Sequence, residues 1–193
     1  MWVEMGFSFA YIFFKKEIDN MKKILITAFL LTSACCLSQK TTVAEIYLLS
    51  STEVPLSIGT VQITDTLEGL LFEVDLENLP EGAHGFHIHE NGNCMPSKDA
   101  NGNIVLAGKA GAHYDPDETN QHLGPKGAGH KGDLPFLVAD HKGQVKTKFY
   151  HTKLSFDEIK NRSLIVHQKG DNYKDSPKPL GGGEGRMACG VIY

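Results

Sequence analysis

Beyond residue 40 the chain alternates apolar and polar positions with a period of two, and helical periodicity all but disappears. The alternation marks residues 43–49, 57–64, 70–76, 85–90, 134–139, 145–150, 163–167 and 187–193. Asn78-Leu79-Pro80-Glu81-Gly82 closes the third of these with turn residues. The pattern predicts eight short strands with turn signals between them, hence an all-β antiparallel sandwich or barrel. Two gaps break the even spacing, residues 91–133 and 168–186, and each follows a His-bearing segment directly. Loops of that length in a compact domain are usually functional. The one helix signal is Ser155-Phe156-Asp157-Glu158-Ile159-Lys160, in which Ser155 and Glu158 stand at capping-box spacing.

The first 36 residues belong to a different regime. Met21-Lys22-Lys23 precedes an apolar run, Ile24 onward, of about 11 residues, short of the roughly 20 that a spanning helix needs. Thr32-Ser33-Ala34 then leads into Cys35-Cys36. Residues 1–36 therefore read as a secretory signal, 37–42 as a linker and 43–193 as one domain. Residues 1–20 precede a natural start at Met21 and read as a start codon placed too early; an extended signal or a first membrane segment is the alternative. Ser33-Ala34-Cys35 resembles a bacterial lipobox, with Thr32 where leucine is usual. Cys35 and Cys36 are thus candidate lipidation sites, the other option being ordinary signal cleavage near Ala34. Both routes export the protein, to the periplasm and, if lipidated, to a membrane anchor.

Composition adds little beyond a soluble domain: 193 residues, 41% hydrophobic and 22% charged. Formal net charge is −4, and removal of Lys15, Lys16, Lys22, Lys23, Glu4, Glu17 and Asp19 with residues 1–36 takes it to −5. That balance argues against a nucleic-acid partner. Cys94 and Cys189 are then the only remaining thiols, and an even number in an exported chain suggests a disulfide, against the alternative of two free thiols.

Histidine carries the candidate chemistry. His87 and His89 are two apart in a strand-like run, so both imidazoles face one side while Phe86 and Ile88 face the other. His113, His122, His130 and Asp133 fall within 21 positions of a Gly/Pro-punctuated loop. Three imidazoles and a carboxylate make a closed four-coordinate set suited to structural zinc, pinning a loop expected to lack sheet hydrogen bonds of its own. His87, His89 and His167, with His113 as a fourth, form an imidazole-rich set suited to copper. His84, His141 and His151 are left over and are expected at the surface.

Gly85-Phe86-His87-Ile88-His89-Glu90, Gly111-Ala112-His113-Tyr114, Gly129-His130-Lys131-Gly132-Asp133-Leu134-Pro135, Leu164-Ile165-Val166-His167 and Gly185-Arg186-Met187-Ala188-Cys189-Gly190-Val191-Ile192 together resemble the Cu/Zn superoxide dismutases over about residues 43–193. Asp171-Asn172-Tyr173 and Pro177-Lys178-Pro179-Leu180-Gly181-Gly182-Gly183 are similar to the bacterial exported branch. The resemblance implies an eight-stranded Greek-key β-sandwich or flattened barrel. It implies dismutation of superoxide to O₂ and H₂O₂ by alternating reduction and reoxidation of copper, with zinc structural, as antioxidant defence outside the cytoplasm. Copper would sit on His87, His89, His113 and His167; zinc on His113, His122, His130 and Asp133, with His113 shared and catalytic. Asp171 would join His87 to His122, Arg186 would dock the anion, and Cys94 would pair with Cys189. The branch includes monomers and homodimers. Because the charge beyond residue 36 is negative, attraction of superoxide must be local, and Lys98, Lys169 and Lys174 in the two loops are candidates for it. The competing readings are a copper/zinc-binding module without turnover and a non-catalytic adhesion sandwich; the first would be expected to lose a copper ligand or Arg186, and the second needs no histidine set.

Overall fold

The computed structural model describes residues 15–18, 20–21, 39–50 and 54–193. The chain divides into two units, Met1–Ser38 and Gln39–Tyr193. In the first, residues 15–18 and 20–21 are helical. Of the expected export signal, residues 15–18, 20 and 21 are described; Cys35 and Cys36 lie outside the described residues. No helix among the described residues is long and apolar enough to cross a membrane.

The second unit is built on an antiparallel sheet of seven strands in the order β5-β10-β11-β1-β2-β3-β9. These are β1 (Thr41–Leu48), β2 (Ser57–Thr66), β3 (Gly69–Leu76), β5 (Phe86–His89), β9 (Val145–His151), β10 (Arg162–His167) and β11 (Arg186–Ile192). The period-two pattern has its expected meaning in β3, where Leu70, Phe72, Val74 and Leu76 are buried between less buried neighbours. Phe72 stacks on its cross-strand partner Phe149 at 5.2 Å between centroids, an aromatic pair of the kind that adds to sheet stability.

The sheet curls until its edges meet. β4 (Gly82–His84) runs through Gly85 into edge strand β5, and β8 (Leu137–Ala139) turns through Asp140–Gly143 into the opposite edge strand β9. β4 pairs with β8, so the two edges of the curled sheet are joined by a short antiparallel ladder. The chain crosses the barrel end twice, from β3 to β4 and from β9 to β10, which is Greek-key connectivity.

All eight expected strands are present. Three further short ones, β4, β6 (Ser97–Lys98) and β7 (Ile104–Val105), fall in segments read as turn and loop. β1 begins at Thr41, two residues before the expected start. The capping box at Ser155 and Glu158 is formed, over the single helical turn Phe156–Ile159.

The core inside the barrel includes Ile46, Val61, Phe72, Phe86, Ile88, Leu164 and Val166. β10 is buried on both faces from Ser163 to His167. Its outer face is covered by the first long loop, where Ile165 packs with Ala107, Ala110 and Cys189. Cys94 and Cys189 form a disulfide across that interface with Cα atoms 5.8 Å apart, tying the loop to β11.

Two of the three histidines expected at the surface are not there. His84 is 2% exposed, with Nδ1 2.9 Å from the His167 carbonyl oxygen and Nε2 2.8 Å from that of Pro80. His151 is 3% exposed and its Nε2–H donates to the Lys131 carbonyl at 3.0 Å. Each ring serves a wholly or partly buried backbone carbonyl, a demand that metal-ligand parity does not reveal. His141 is exposed in the β8–β9 turn, as expected.

Candidate metal centre

β5 places His87 and His89 on the face opposite Phe86 and Ile88, outside the barrel, and they are buried only because loops cover them. In the β5–β10 ladder Ile165 is opposite His87 and Ser163 opposite His89, so His167 emerges beside the pair on the same face. The free edge of β5 receives the long loop. Ile88 N–H donates to Gly132 O (2.9 Å), Tyr114 N–H to Ile88 O (2.9 Å) and Leu134 N–H to Phe86 O (3.2 Å). His113 and Asp133 thereby form antiparallel bridges to His89 and His87. This corrects the expectation that the loop lacks sheet hydrogen bonds: its two ends are zipped to β5, and only the stretch between them is free of the ladder.

The result is two groups with common members. His87, His89, His113 and His167 each offer a ligand atom, all within 4.8 Å of one another; so do His87, His113, His122 and Asp133. His130 lies beside the second group, with Nδ1 3.4 Å from Asp133 Oδ1 and its ring 5.4 Å from that of His113. Among the described residues, the buried side-chain nitrogens and oxygens that lack a hydrogen-bond partner are six imidazole nitrogens: His87 Nδ1, His89 Nε2, His113 Nε2, His122 Nδ1, His130 Nδ1 and His167 Nε2. An unsatisfied buried polar group costs about 1–3 kcal/mol. Six of them converging beside one buried carboxylate are explained by cations that complete their coordination, and the donor types fit copper and zinc. His122 Nδ1 is 3.0 Å from Asp133 Oδ2 without hydrogen-bond alignment, as two ligands of one ion would be.

The opposite ring nitrogens are held. His87 Nε2–H donates to Asp171 Oδ2 at 2.7 Å and His122 Nε2–H to Asp171 Oδ1 at 2.8 Å. His89 Nδ1–H donates to Gly111 O at 3.0 Å and His167 Nδ1–H to Glu184 O at 3.3 Å. Such partners fix which nitrogen is left free to ligate and how the ring is turned. Gly181, at φ +70°, backs onto the Asp171–His122 contact so closely that a Cβ there would be 1.9 Å from Asp171 Oδ1.

The metal-free site is electrostatically divided. Burial lowers the proton affinity of His87, His89 and His113, and takes His167 to about 4, so these rings are neutral at pH 7. Burial also opposes charge on His122, but the Asp133 and Asp171 carboxylates beside its two ring nitrogens outweigh it and raise its pKa to about 9. Burial pushes Asp133 up, while His113 and His122 outweigh that and hold it well below the carboxylate range.

Arg186 pairs with His167 in the β10–β11 register and its guanidinium donates to the carbonyls of Ala107 and Gly111. Burial lowers its pKa, yet a guanidinium this basic stays charged. The Gly111 carbonyl therefore accepts from both Arg186 and His89.

The sequence signature of copper/zinc superoxide dismutase (SODC) matches residues 57–192. The chain belongs to the copper/zinc superoxide dismutase family. The Cu-Zn superoxide dismutase of Escherichia coli (strain K12) is 50% identical over 163 residues, 83% of this chain and 91% of that protein. The one from Brucella abortus biovar 1 is 46% identical over 173 residues, 89% and 99% of the two chains. Among solved structures, the Brucella abortus enzyme covers 80% of this chain and 100% of its own at a TM-score of 0.77 and 48% identity. The monomeric enzyme from Salmonella enterica covers the same shares at 0.69 and 46%.

Membership in the superoxide dismutase family brings the reaction, dismutation of superoxide, and the metal pair, copper and zinc. Lys98, Lys169 and Lys174 are all exposed. Lys169 is two residues from His167, and its backbone bonds Gly85 and Gly183. Sequence reasoning passed over Ala107 and Gly111, whose contribution is main-chain oxygen, and Asp175, whose carboxylate accepts the His122 backbone N–H at 2.9 Å. No residue-type pattern marks a carbonyl; the Gly-Ala-His run around Gly111 was the one visible signal.

Proposed function

We propose that this superoxide dismutase holds copper on His87, His89, His113 and His167, and zinc on His113, His122, His130 and Asp133, with His113 shared. The observation that carries the assignment is the set of six partnerless ring nitrogens, grouped so that His113 faces one cluster through Nε2 and Asp133 through Nδ1. Two superoxide anions and two protons yield O₂ and H₂O₂. Copper, when bound, supplies the one-electron couple for that exchange, and zinc the fixed charge that orients His113.

The remaining work falls to the protein. Arg186, pinned by two carbonyls next to His167, presents a fixed positive charge for docking a small anion. His113 Nε2 is the atom placed to carry a proton to reduced dioxygen, with Nδ1 facing Asp133 at 3.1 Å. Asp171 ties His87 to His122 and so links the two clusters. Lys98, Lys169 and Lys174 raise the local potential around the mouth; neutralising all three lowers the rate at low salt and flattens its ionic-strength dependence, whereas an unchanged rate rules them out.

The domain is read as residues 43–193, with its first strand reaching back to Thr41, preceded by a linker over residues 37–42 and an export signal within 1–36. A formed Cys94–Cys189 disulfide suits an oxidising compartment, and the periplasm is the proposed location, with lipid on Cys35 or Cys36 as the anchoring option. Mass spectrometry of the mature N-terminus distinguishes lipidation from simple cleavage. A monomer or homodimer is the proposed assembly, read by sedimentation.

The central test is a xanthine oxidase/cytochrome c assay on copper- and zinc-loaded protein with metal content measured in parallel. Turnover with both metals retained supports the reading. Both metals retained without turnover would instead make it a metal-binding module, the reading that intact Arg186 and a full ligand set argue against.

A further inference from the structure

The second long loop reaches back to the zinc-side histidines at more than one place. Asp171 meets the His122 side chain, as described. Four residues on, the Asp175 carboxylate spans two backbone N–H groups, accepting from His122 through Oδ2 at 2.9 Å and from Leu180 through Oδ1 at 3.2 Å. The base of this excursion is closed by Asn172 N–H to Gly181 O at 3.1 Å, which holds Asp175 at its tip.

The His122 N–H belongs to the same peptide plane as the Gln121 carbonyl. That carbonyl accepts from the His130 N–H at 3.0 Å. A carboxylate at one end of a peptide and an N–H at the other polarise it in the same sense, so the two bonds reinforce each other. The plane is also closely packed: a Cβ on Gly129 would be 2.1 Å from Gln121 O, which leaves the peptide little room to turn. Tyr173 braces the same region, its ring against Gly124 and its hydroxyl oxygen accepting from Phe136 N–H at 3.0 Å.

We propose that Asp175 is a positioning residue for the zinc half of the centre: by orienting the 121–122 peptide it sets the backbone of His122 directly and that of His130 through Gln121 O. It touches neither metal nor substrate. The proposal rests on His122 and His130 being zinc ligands. It adds that a carboxylate from the other loop determines their placement.

The test uses the exported chain, stripped of metal and titrated with Zn²⁺ against a chromophoric chelator, and separately with Co²⁺ followed by its ligand-field absorption. His122→Ala is the control for the underlying assignment: wild type binding Zn²⁺ tightly while H122A does not establishes that the cluster holds zinc, whatever Asp175 does. Asp175→Ala is then expected to raise the apparent Zn²⁺ dissociation constant about tenfold, the lower end of what an outer hydrogen-bond partner contributes, and to alter the Co²⁺ spectrum. Asp175→Asn keeps one acceptor for the His122 N–H and is expected to recover most of that loss. Unchanged Zn²⁺ affinity in D175A overturns the proposal, even if its melting temperature falls. So does a D175N protein as weak as the alanine variant, because a retained acceptor would then not matter.

Discussion

The two halves of the centre are built by different means. His87, His89 and His167 sit on neighbouring strands, where ladder register alone brings their rings together. His122 and His130 sit on a stretch without regular structure, and their placement needs separate tethers: Asp171, Asp175, Tyr173, the Lys131 carbonyl on His151 and the Lys153 ammonium on the Gly127 carbonyl. The strand-borne half is preformed by the fold. The loop-borne half is assembled from contacts that each hold one point of a chain with scattered internal hydrogen bonds but no repeating ladder. His113 and Asp133 stand where the regimes meet, bridged to β5 yet facing the loop.

The largest test of that contrast is removal of a strand-borne ligand. His87→Ala is expected to reduce turnover to the background of the metal-free protein while the barrel folds and zinc is retained. Assay, zinc content and circular dichroism on one sample decide it, and full activity would end the copper assignment. Next comes the disulfide. Replacing Cys94 and Cys189 with serine releases a tie between residues 95 apart, and chain-entropy reasoning puts the loss at about 4–5 kcal/mol of unfolding free energy, read from denaturant titration. Because Ala107 and Gly111 lie in the loop so tied, the variant is also expected to lose activity in excess of its unfolded fraction.

Acid and alkali should separate the halves in the metal-free protein. His167 titrates at about 4 when folded and near 6.5 when unfolded, so the unfolded chain binds protons first. Stability then falls as pH drops below about 6.5, by about 1.4 kcal/mol per unit for this residue alone, with His87, His89 and His113 acting in the same direction. His122, raised to about 9, acts oppositely: its contribution is complete below 6.5 and is lost as pH rises through 9. Thermal melts from pH 4 to 10 should show both flanks, and His122→Ala should remove the alkaline one. The smallest expected effects are at the misread histidines. His151→Ala gives up one hydrogen bond to the zinc-side loop, about 1 kcal/mol, and His84→Ala gives up contacts to two carbonyls and should cost more.

The same contrast governs what could be read in advance. Strand-borne ligands are legible because i and i+2 share a face, and the eight strands followed from alternation. β6 and β7 are two residues each, too short for any period to register. The residues proposed for zinc stand out in the sequence through their donor types and the family resemblance; nothing in their spacing says which tether holds which residue. Sorting histidines into metal ligands and surface residues misplaces His84 and His151, because a third use, serving a wholly or partly buried carbonyl, has no sequence signature. Asp175 carries no sequence signal at all, since the N–H it accepts is 53 positions away.

The oxygen of Gly111 accepts one hydrogen bond from the His89 ring and another from the guanidinium of Arg186. Those two side chains are rooted on different barrel strands, His89 on β5 and Arg186 on β11, so a single main-chain atom of the covering loop is their common fixed point. If His89 holds copper and Arg186 docks the anion, as proposed, a change in the Gly111 peptide would disturb metal and substrate together.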